Sequence, residues 1–187
     1  MRISAGEHRG RRLRSPKGSR TRPTSDLLRQ AIFNVLGSTI RGARILDLFA
    51  GTGALGLEAL SRGAASATFV ERDRQALDSL RANVRELDFS TQARVLAGEA
   101  LATLNQLAAA GDRFDCVLLD PPYAGDLGVR ALETLAPGGI LSENAVLIVQ
   151  AFHKSEFPQQ TGVLSRVWQR RYGESRLTVY HKEIACR

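Results

Sequence analysis

Apolar positions along this chain follow two alternating periods. Leu27, Leu28, Ala31, Ile32, Val35 and Leu36 recur at helical spacing until Gly37 stops the run, and Thr24-Ser25-Asp26 offers capping oxygens in front of it. Ile45, Leu46, Leu48 and Phe49 then form the short, nearly continuous apolar run of a parallel strand covered on both faces. From there strand patterns over 67–71, 93–97, 114–120 and 145–151 alternate with helical patterns beginning near residue 54 and spanning 74–86, 100–109 and 126–136. Repeated strand-helix units predict a doubly wound, mostly parallel α/β sheet. After a loop at 153–158, runs at 163–168 and 176–182 flank Tyr172-Gly173-Glu174 and predict a terminal antiparallel pair.

Between the first strand and its helix, Gly51, Gly53 and Gly56 stand at the spacing of a glycine-rich nucleotide loop. Gly51 and Gly53 let the backbone turn and approach a ligand, and Gly56 lets the helix pack on the strand. That spacing suits dinucleotide-binding oxidoreductases as well as other nucleoside binders. Asp47 separates them, because a carboxylate at the strand end repels a pyrophosphate but suits the ammonium and sulfonium groups of S-adenosylmethionine. Glu71 ends the next strand, where its carboxylate can accept ribose hydroxyl protons. Glu99 closes the third strand at the same edge, either beside an adenine or as a helix cap.

The strand at 114–120 ends on Asp120 and runs straight into Pro121-Pro122-Tyr123. Two prolines fix the backbone and supply no N–H, so carbonyl acceptors form a rigid array beside the Asp120 carboxylate. Tyr123 adds a face on which a base can stack. The expected cofactor-binding set is Asp47, Phe49, Ala50, Gly51, Gly53, Glu71, Glu99 and Asp120; the expected catalytic set is Asp120, Pro121, Pro122 and Tyr123. His153 reads as a surface residue of the 153–158 loop.

Charge changes the picture at the N-terminus. Lys and Arg outnumber Asp and Glu by 26 to 19, for a net charge of +7. Within residues 1–22 stand Arg2, Arg9, Arg11, Arg12, Arg14, Lys17, Arg20 and Arg22 against the one acid Glu7, with Gly6, Gly10, Pro16 and Gly18 breaking any regular element. This reads as a mostly irregular basic arm that orders itself on a nucleic acid, with Arg9, Arg11, Arg12, Arg14 and Arg22 as RNA contacts. Arg22-Pro-Thr24 either reaches the cofactor's methionine end or is simply the turn into the first helix. Two cysteines without a CxxC pair indicate neither a disulfide framework nor a zinc site, and no metal is required. With no signal-peptide apolar segment and no run near about 18 apolar residues, the chain is expected in the cytoplasm.

With Asp47-Leu-Phe-Ala-Gly-Thr-Gly-Ala-Leu-Gly-Leu-Glu58 and Asp120-Pro-Pro-Tyr123 both in place, the chain resembles class I S-adenosylmethionine-dependent methyltransferases that modify exocyclic amines. Met1-Arg-Ile-Ser-Ala-Gly6, Gly10-Arg-Arg-Leu13, Thr21-Arg-Pro-Thr-Ser-Asp26, Phe33-Asn34, Glu58-Ala-Leu-Ser-Arg-Gly63 and Tyr172-Gly173 narrow the resemblance to the RsmD family across nearly the whole chain. The resemblance implies a Rossmann-like, seven-stranded sheet with an antiparallel last strand, and methylation of N2 of a guanine in bacterial 16S ribosomal RNA. It also implies a monomeric enzyme acting on the small subunit or an assembly intermediate. The domain reading is a basic arm and helix over 1–37 and a methyltransferase domain over 38–187. The rivals are an adenine-N6 DNA or RNA methyltransferase, for which the chain leaves no room for a separate DNA target-recognition domain; a dehydrogenase, which leaves Asp47 and the Pro-Pro turn unexplained; and a non-catalytic RNA-binding protein, which needs neither acid.

Overall fold

In a computed structural model, which describes residues 1–16, 26–123 and 125–183, the expected strand-helix alternation folds into one sheet. In chain order the elements are α1 (Asp26–Leu36), β1 (Arg44–Asp47), α2 (Ala54–Ser61), β2 (Ser66–Glu71), α3 (Arg74–Glu86), β3 (Ala93–Ala97) and α4 (Ala100–Ala109). Then follow β4 (Phe114–Leu119), α5 (Leu127–Leu135), β5 (Leu141–Phe152), β6 (Gln160–Thr161), β7 (Leu164–Tyr172) and β8 (Ser175–Lys182). The sheet order is β3-β2-β1-β4-β5-β8-β7-β6, with β1 to β5 mutually parallel.

The strand reversing the chain against β5 is β8, as expected of an antiparallel last strand. Among the described residues the sheet has eight strands rather than seven, because Gln160 and Thr161 pair with Ser165 and Leu164 as β6. Two residues carry no alternation that a sequence could display. Strand β7 also runs to Tyr172 rather than 168, since Arg170 and Arg171 pair with Leu177 and Arg176 despite breaking the apolar pattern. Insertion of β8 next to β5 sets Phe152 opposite Ser175. The tip of the β7–β8 hairpin therefore arrives at the edge where β1, β2 and β4 end.

Both faces of the sheet are covered. One buried cluster joins α1, α2 and α3 to β1 and β2 through Ile32, Phe33, Leu57, Phe69 and Leu80; the other joins α4 and α5 to β4 and β5 through Leu104, Leu132, Leu135, Val117 and Leu147. Full coverage explains why β1 and β4 read as near-continuous apolar runs.

The N-terminal arm departs from its expected irregularity. Residues 1–16 form a strap in which Arg2 and Arg12 make an antiparallel bridge, with Ile3 N–H donating to Arg11 O at 3.0 Å and Leu13 N–H to Met1 O at 3.0 Å. Ile3 and Leu13 are buried in the same cluster as α1 and α2. The cause is a distant side chain: Glu58 of α2, fully buried, accepts from Ser4 N at 2.7 Å, Ser4 Oγ at 2.7 Å, Ala5 N at 3.0 Å and Arg62 Nε at 2.8 Å. Arg29 of α1, also buried, brings its Nε to 3.5 Å from the same carboxylate and donates to Asp26 and to Arg2 O. Removing one partner from such a buried charged group costs about 3–5 kcal/mol, which is enough to hold a short, glycine-broken segment in place. Arg22 and Thr24 lie outside the described residues.

Candidate active site

The glycine loop begins where β1 ends. Leu48 N–H donates to Leu118 O at 3.1 Å and Ala50 N–H to Val70 O at 3.0 Å, so the loop is suspended between β4 and β2. Gly53 adopts φ +86° as the N-cap of α2, a left-handed conformation that a Cβ disfavours. Gly56 lies so close to β2 that a Cβ would sit 2.3 Å from Phe69 Cε1, which accounts for the third glycine. At Gly51 the space a Cβ would take is open to 4 Å, leaving backbone exposed at the loop.

Asp47 lies beneath this loop. It is 1% exposed, and its Oδ2 accepts from Gly56 N–H at 2.9 Å, which fastens the start of α2 to the end of β1. Burial pushes its carboxyl up to about 7; the Gly56 hydrogen bond opposes the rise, and the charges of Asp120 and Glu71 add to it. Three carboxylates thus meet at one sheet edge, a field that favours a cationic ligand. Glu71, half-buried, accepts Gly51 N–H on Oε2 at 2.7 Å and the N–H groups of Arg72 and Asp73 on Oε1, both at 2.8 Å. A carboxylate has about four acceptor positions, so these three donors orient Glu71 and leave capacity for a hydroxyl. The donor set suits a nucleoside: half-exposed loop backbone and an oriented carboxylate for ribose.

Of the other expected cofactor residues, Ala50 is buried in the loop and Phe49 packs half-buried against the α4–α5 side. Glu99 is the backbone N-cap of α4, but its side chain makes no capping bond. It pairs instead with Arg72 at 3.1 Å, on the exposed side of the same edge. Gly98 N–H, donating to Glu71 O at 2.9 Å, keeps the ends of β2 and β3 together there.

Asp120 follows β4 and is half-buried beside Asp47. Pro121 is buried, while Pro122 and Tyr123 are exposed. The Pro121 ring is held between α5 and the segment after β5: a Cβ on Gly128 would sit 2.8 Å from Pro121 Cγ and 3.2 Å from Phe157 Cζ. Tyr123 is 39% exposed; its hydroxyl lies 2.7 Å from Ser175 Oγ and its ring 6.0 Å from the Phe152 ring, inclined by 37°. Phe152 in turn meets His153 edge-on at 4.5 Å, and His153 N–H donates to Glu174 O at 2.8 Å. The turn is therefore braced from two sides, and its aromatic side chain stands in a row of rings open to solvent.

Sequence reasoning missed several of these supports. Phe152 was legible as the next apolar residue after the 145–151 run; Ser175 and Gly128 carried no local signal. Asn83 did carry one, as a polar residue on the apolar face of α3. It is 1% exposed, donates to Thr52 O at 2.9 Å and Arg14 O at 3.1 Å, and accepts from Arg14 N at 2.7 Å. One amide thus ties the glycine loop to the strap. Arg9, Arg11 and Arg12 are exposed on the strap, with Arg11 also donating to Glu86 O; Arg14 pairs with Glu86.

The family described as Conserved hypothetical protein 95 matches residues 1–181. Ribosomal RNA small subunit methyltransferase D of Escherichia coli strain K12 is 39% identical over 158 residues, 84% of this chain and 78% of that protein. YlbH of Bacillus subtilis is 36% identical over 183 residues, 97% and 99% of the two chains. The solved structure of yhhF from Escherichia coli superposes with a TM-score of 0.87 at 36% identity, covering 98% of each chain. A glycine loop over a buried Asp47, an Asp-Pro-Pro-Tyr turn at the same edge and relatives matching nearly end to end lead to one assignment: the chain belongs to the RsmD family of methyltransferases.

Proposed function

We propose that this enzyme transfers the methyl group of S-adenosylmethionine to the exocyclic N2 of a guanine in bacterial 16S ribosomal RNA, as a cytoplasmic monomer acting on the small subunit or an assembly intermediate. In this reading residues 38–187 carry the transfer and residues 1–37 grip the RNA. The observation that carries the reading is that Asp120-Pro121-Pro122-Tyr123 and the loop between Asp47 and Glu71 lie along one sheet edge, where β1 pairs in parallel with β2 and β4 and Asp47 stands opposite Leu118, two residues before Asp120. The name of the 39% identical Escherichia coli relative supports the substrate class.

The bound cofactor supplies a methyl on a sulfonium sulfur, which leaves as a neutral thioether. The protein's part is to bind, orient and discharge. Glu71, preset by three backbone donors, would hold the ribose, and Gly51 and Gly53 would let the loop backbone approach the nucleoside. Asp120 and the Pro121 and Pro122 carbonyls accept the hydrogens of the guanine amine, directing its lone pair at the methyl and stabilising the positive charge that grows on nitrogen. Tyr123 stacks on the base drawn out of the RNA. The Asp120 carboxylate would take the proton that the amine sheds once it has gained the methyl group.

The test is to incubate the purified protein and S-adenosylmethionine with naked 16S RNA and with small subunits lacking the modification, then digest and identify the nucleoside by mass spectrometry. N2-methylguanosine is expected, and Asp120→Asn is expected to slow its formation on the order of 10²-fold. N6-methyladenosine as the product would transfer the assignment to the adenine reading, and full activity in Asp120→Asn would remove the role given to that carboxylate.

A further inference from the structure

The β7–β8 hairpin projects from the sheet at the edge where the Asp-Pro-Pro-Tyr turn lies. Its sequence from 164 to 176 carries Arg166, Arg170, Arg171 and Arg176 against the single acid Glu174. Two of these arginines are spent within the fold: Arg166 donates to Gln159 and Phe157 O, and Arg176 to Ser155 O. Arg170 and Arg171 differ. Both are exposed, neither forms an ion pair among the described residues, and both stand at the hairpin end beside the Asp-Pro-Pro-Tyr turn.

Their heads are nevertheless held. Arg170 lies over the Tyr172 ring with its guanidinium carbon 5.6 Å from the centroid, and Arg171 Nε donates to Gly173 O at 2.7 Å. The two guanidinium groups, on opposite faces of the strand because successive residues alternate, each offer an oriented phosphate contact free of a carboxylate. The hairpin that carries them is also joined to the base site. Ser175 Oγ lies 2.7 Å from the Tyr123 hydroxyl, and Glu174 O accepts from His153 N–H at 2.8 Å.

We infer that the tip of the β7–β8 hairpin is a second RNA-binding wing, in which Arg170 and Arg171 hold backbone phosphates of the strand that delivers the target base. This rests on the RNA substrate proposed above. The strap approaches the site from the glycine-loop side, where Asn83 joins Arg14 to Thr52, and the hairpin approaches from the β5–β8 side. A strand crossing the sheet edge would meet arginines on both flanks of Tyr123. The hairpin contact reads no sequence; it sets where along the strand the base falls.

Arg170→Ser/Arg171→Ser tests this in the full-length protein with 16S RNA as substrate. The KM for RNA is expected to rise about ten-fold, and the slope of its logarithm against log salt to fall by about 2, one for each phosphate that is no longer neutralised. Affinity for S-adenosylhomocysteine and kcat at saturating RNA should stay at wild-type values. The variant Arg170→Lys/Arg171→Lys, which keeps both charges, should retain the wild-type slope. An equal loss of charge at the opposite sheet edge, Arg94→Ser/Arg113→Ser, should leave KM and slope unchanged. If the hairpin variant keeps the wild-type KM and slope while the wild type methylates RNA, the wing is refuted and the function stands. Equal effects from the two serine pairs would also refute it, since net charge alone would then explain them. If the wild type methylates no RNA, the functional reading itself fails and takes the wing with it.

Discussion

Gly128→Ala probes the support of the catalytic turn without replacing any residue that meets substrate. Gly128 is the second residue of α5 and is buried. In a helix, alanine is favoured over glycine by about 1 kcal/mol, so local propensity alone predicts a more stable protein. Packing opposes it. The new methyl would lie 2.8 Å from Pro121 Cγ and 3.2 Å from Phe157 Cζ. Carbon atoms prefer separations of roughly 3.5–4.0 Å, so relief requires a displacement of about 0.5–1 Å. Overpacking of this kind costs about 1–3 kcal/mol, and after the helical gain the fold should lose no more than about 2 kcal/mol. The displacement itself falls on the residue next to Asp120. A misplacement of about 1 Å can cost on the order of 10²-fold in rate, so single-turnover transfer should slow by roughly 10- to 100-fold. Affinity for S-adenosylhomocysteine should change little, because the Glu71 loop is untouched. Rapid-quench methyl transfer, calorimetric titration and urea unfolding measure the three quantities. A raised unfolding midpoint with transfer within two-fold of wild type would refute the idea that α5 sets the position of the Pro-Pro turn.

Glu71→Ala removes the acceptor for Gly51, Arg72 and Asp73 N–H groups and should weaken S-adenosylhomocysteine binding by about 1–3 kcal/mol by calorimetry; unchanged affinity would take Glu71 out of the site. Replacing Arg9, Arg11 and Arg12 by Ser should flatten the salt dependence of RNA binding while leaving the fold intact, since Arg14 keeps its ties to Glu86 and Asn83; an unaltered slope would reduce the strap to a structural part. Asp47 makes stability depend on pH. Its carboxyl is raised from an unfolded value near 3.9 to about 7, so the folded state binds the extra proton between them and stability should fall as pH rises from about 4 to about 7, then level off. Asp115, held well below the usual carboxylate range by its hydrogen bond to Arg44, has completed its own contribution below that window. Asp47→Asn keeps an oxygen for Gly56 N–H and should remove the decline; equal pH slopes for both proteins in urea unfolding would contradict this.

Much of the framework was legible in the chain alone because its causes are local. The strand β3 and the helices α3 and α4 came from periodicity, and the glycine loop from φ and contact constraints that only glycine meets. The Asp-Pro-Pro-Tyr turn was marked by the backbone rigidity of proline. These signals lie within a few residues of the feature they specify. What only the tertiary structure decided depends on partners far apart in sequence. Residues 1–16 look like an irregular arm until Glu58 receives Ser4 and Ala5 across more than fifty positions. Asp47 reads as a carboxylate at a strand end, and only the structure shows that it is buried and fastened to Gly56 N–H. Ser175 and Gly128 look like nothing at all, since their roles are a hydroxyl meeting Tyr123 and an absent methyl beside Pro121. Periodicity records which side of an element is buried. It does not record what buries it, and in this protein the residues that orient the site are chosen by that second condition.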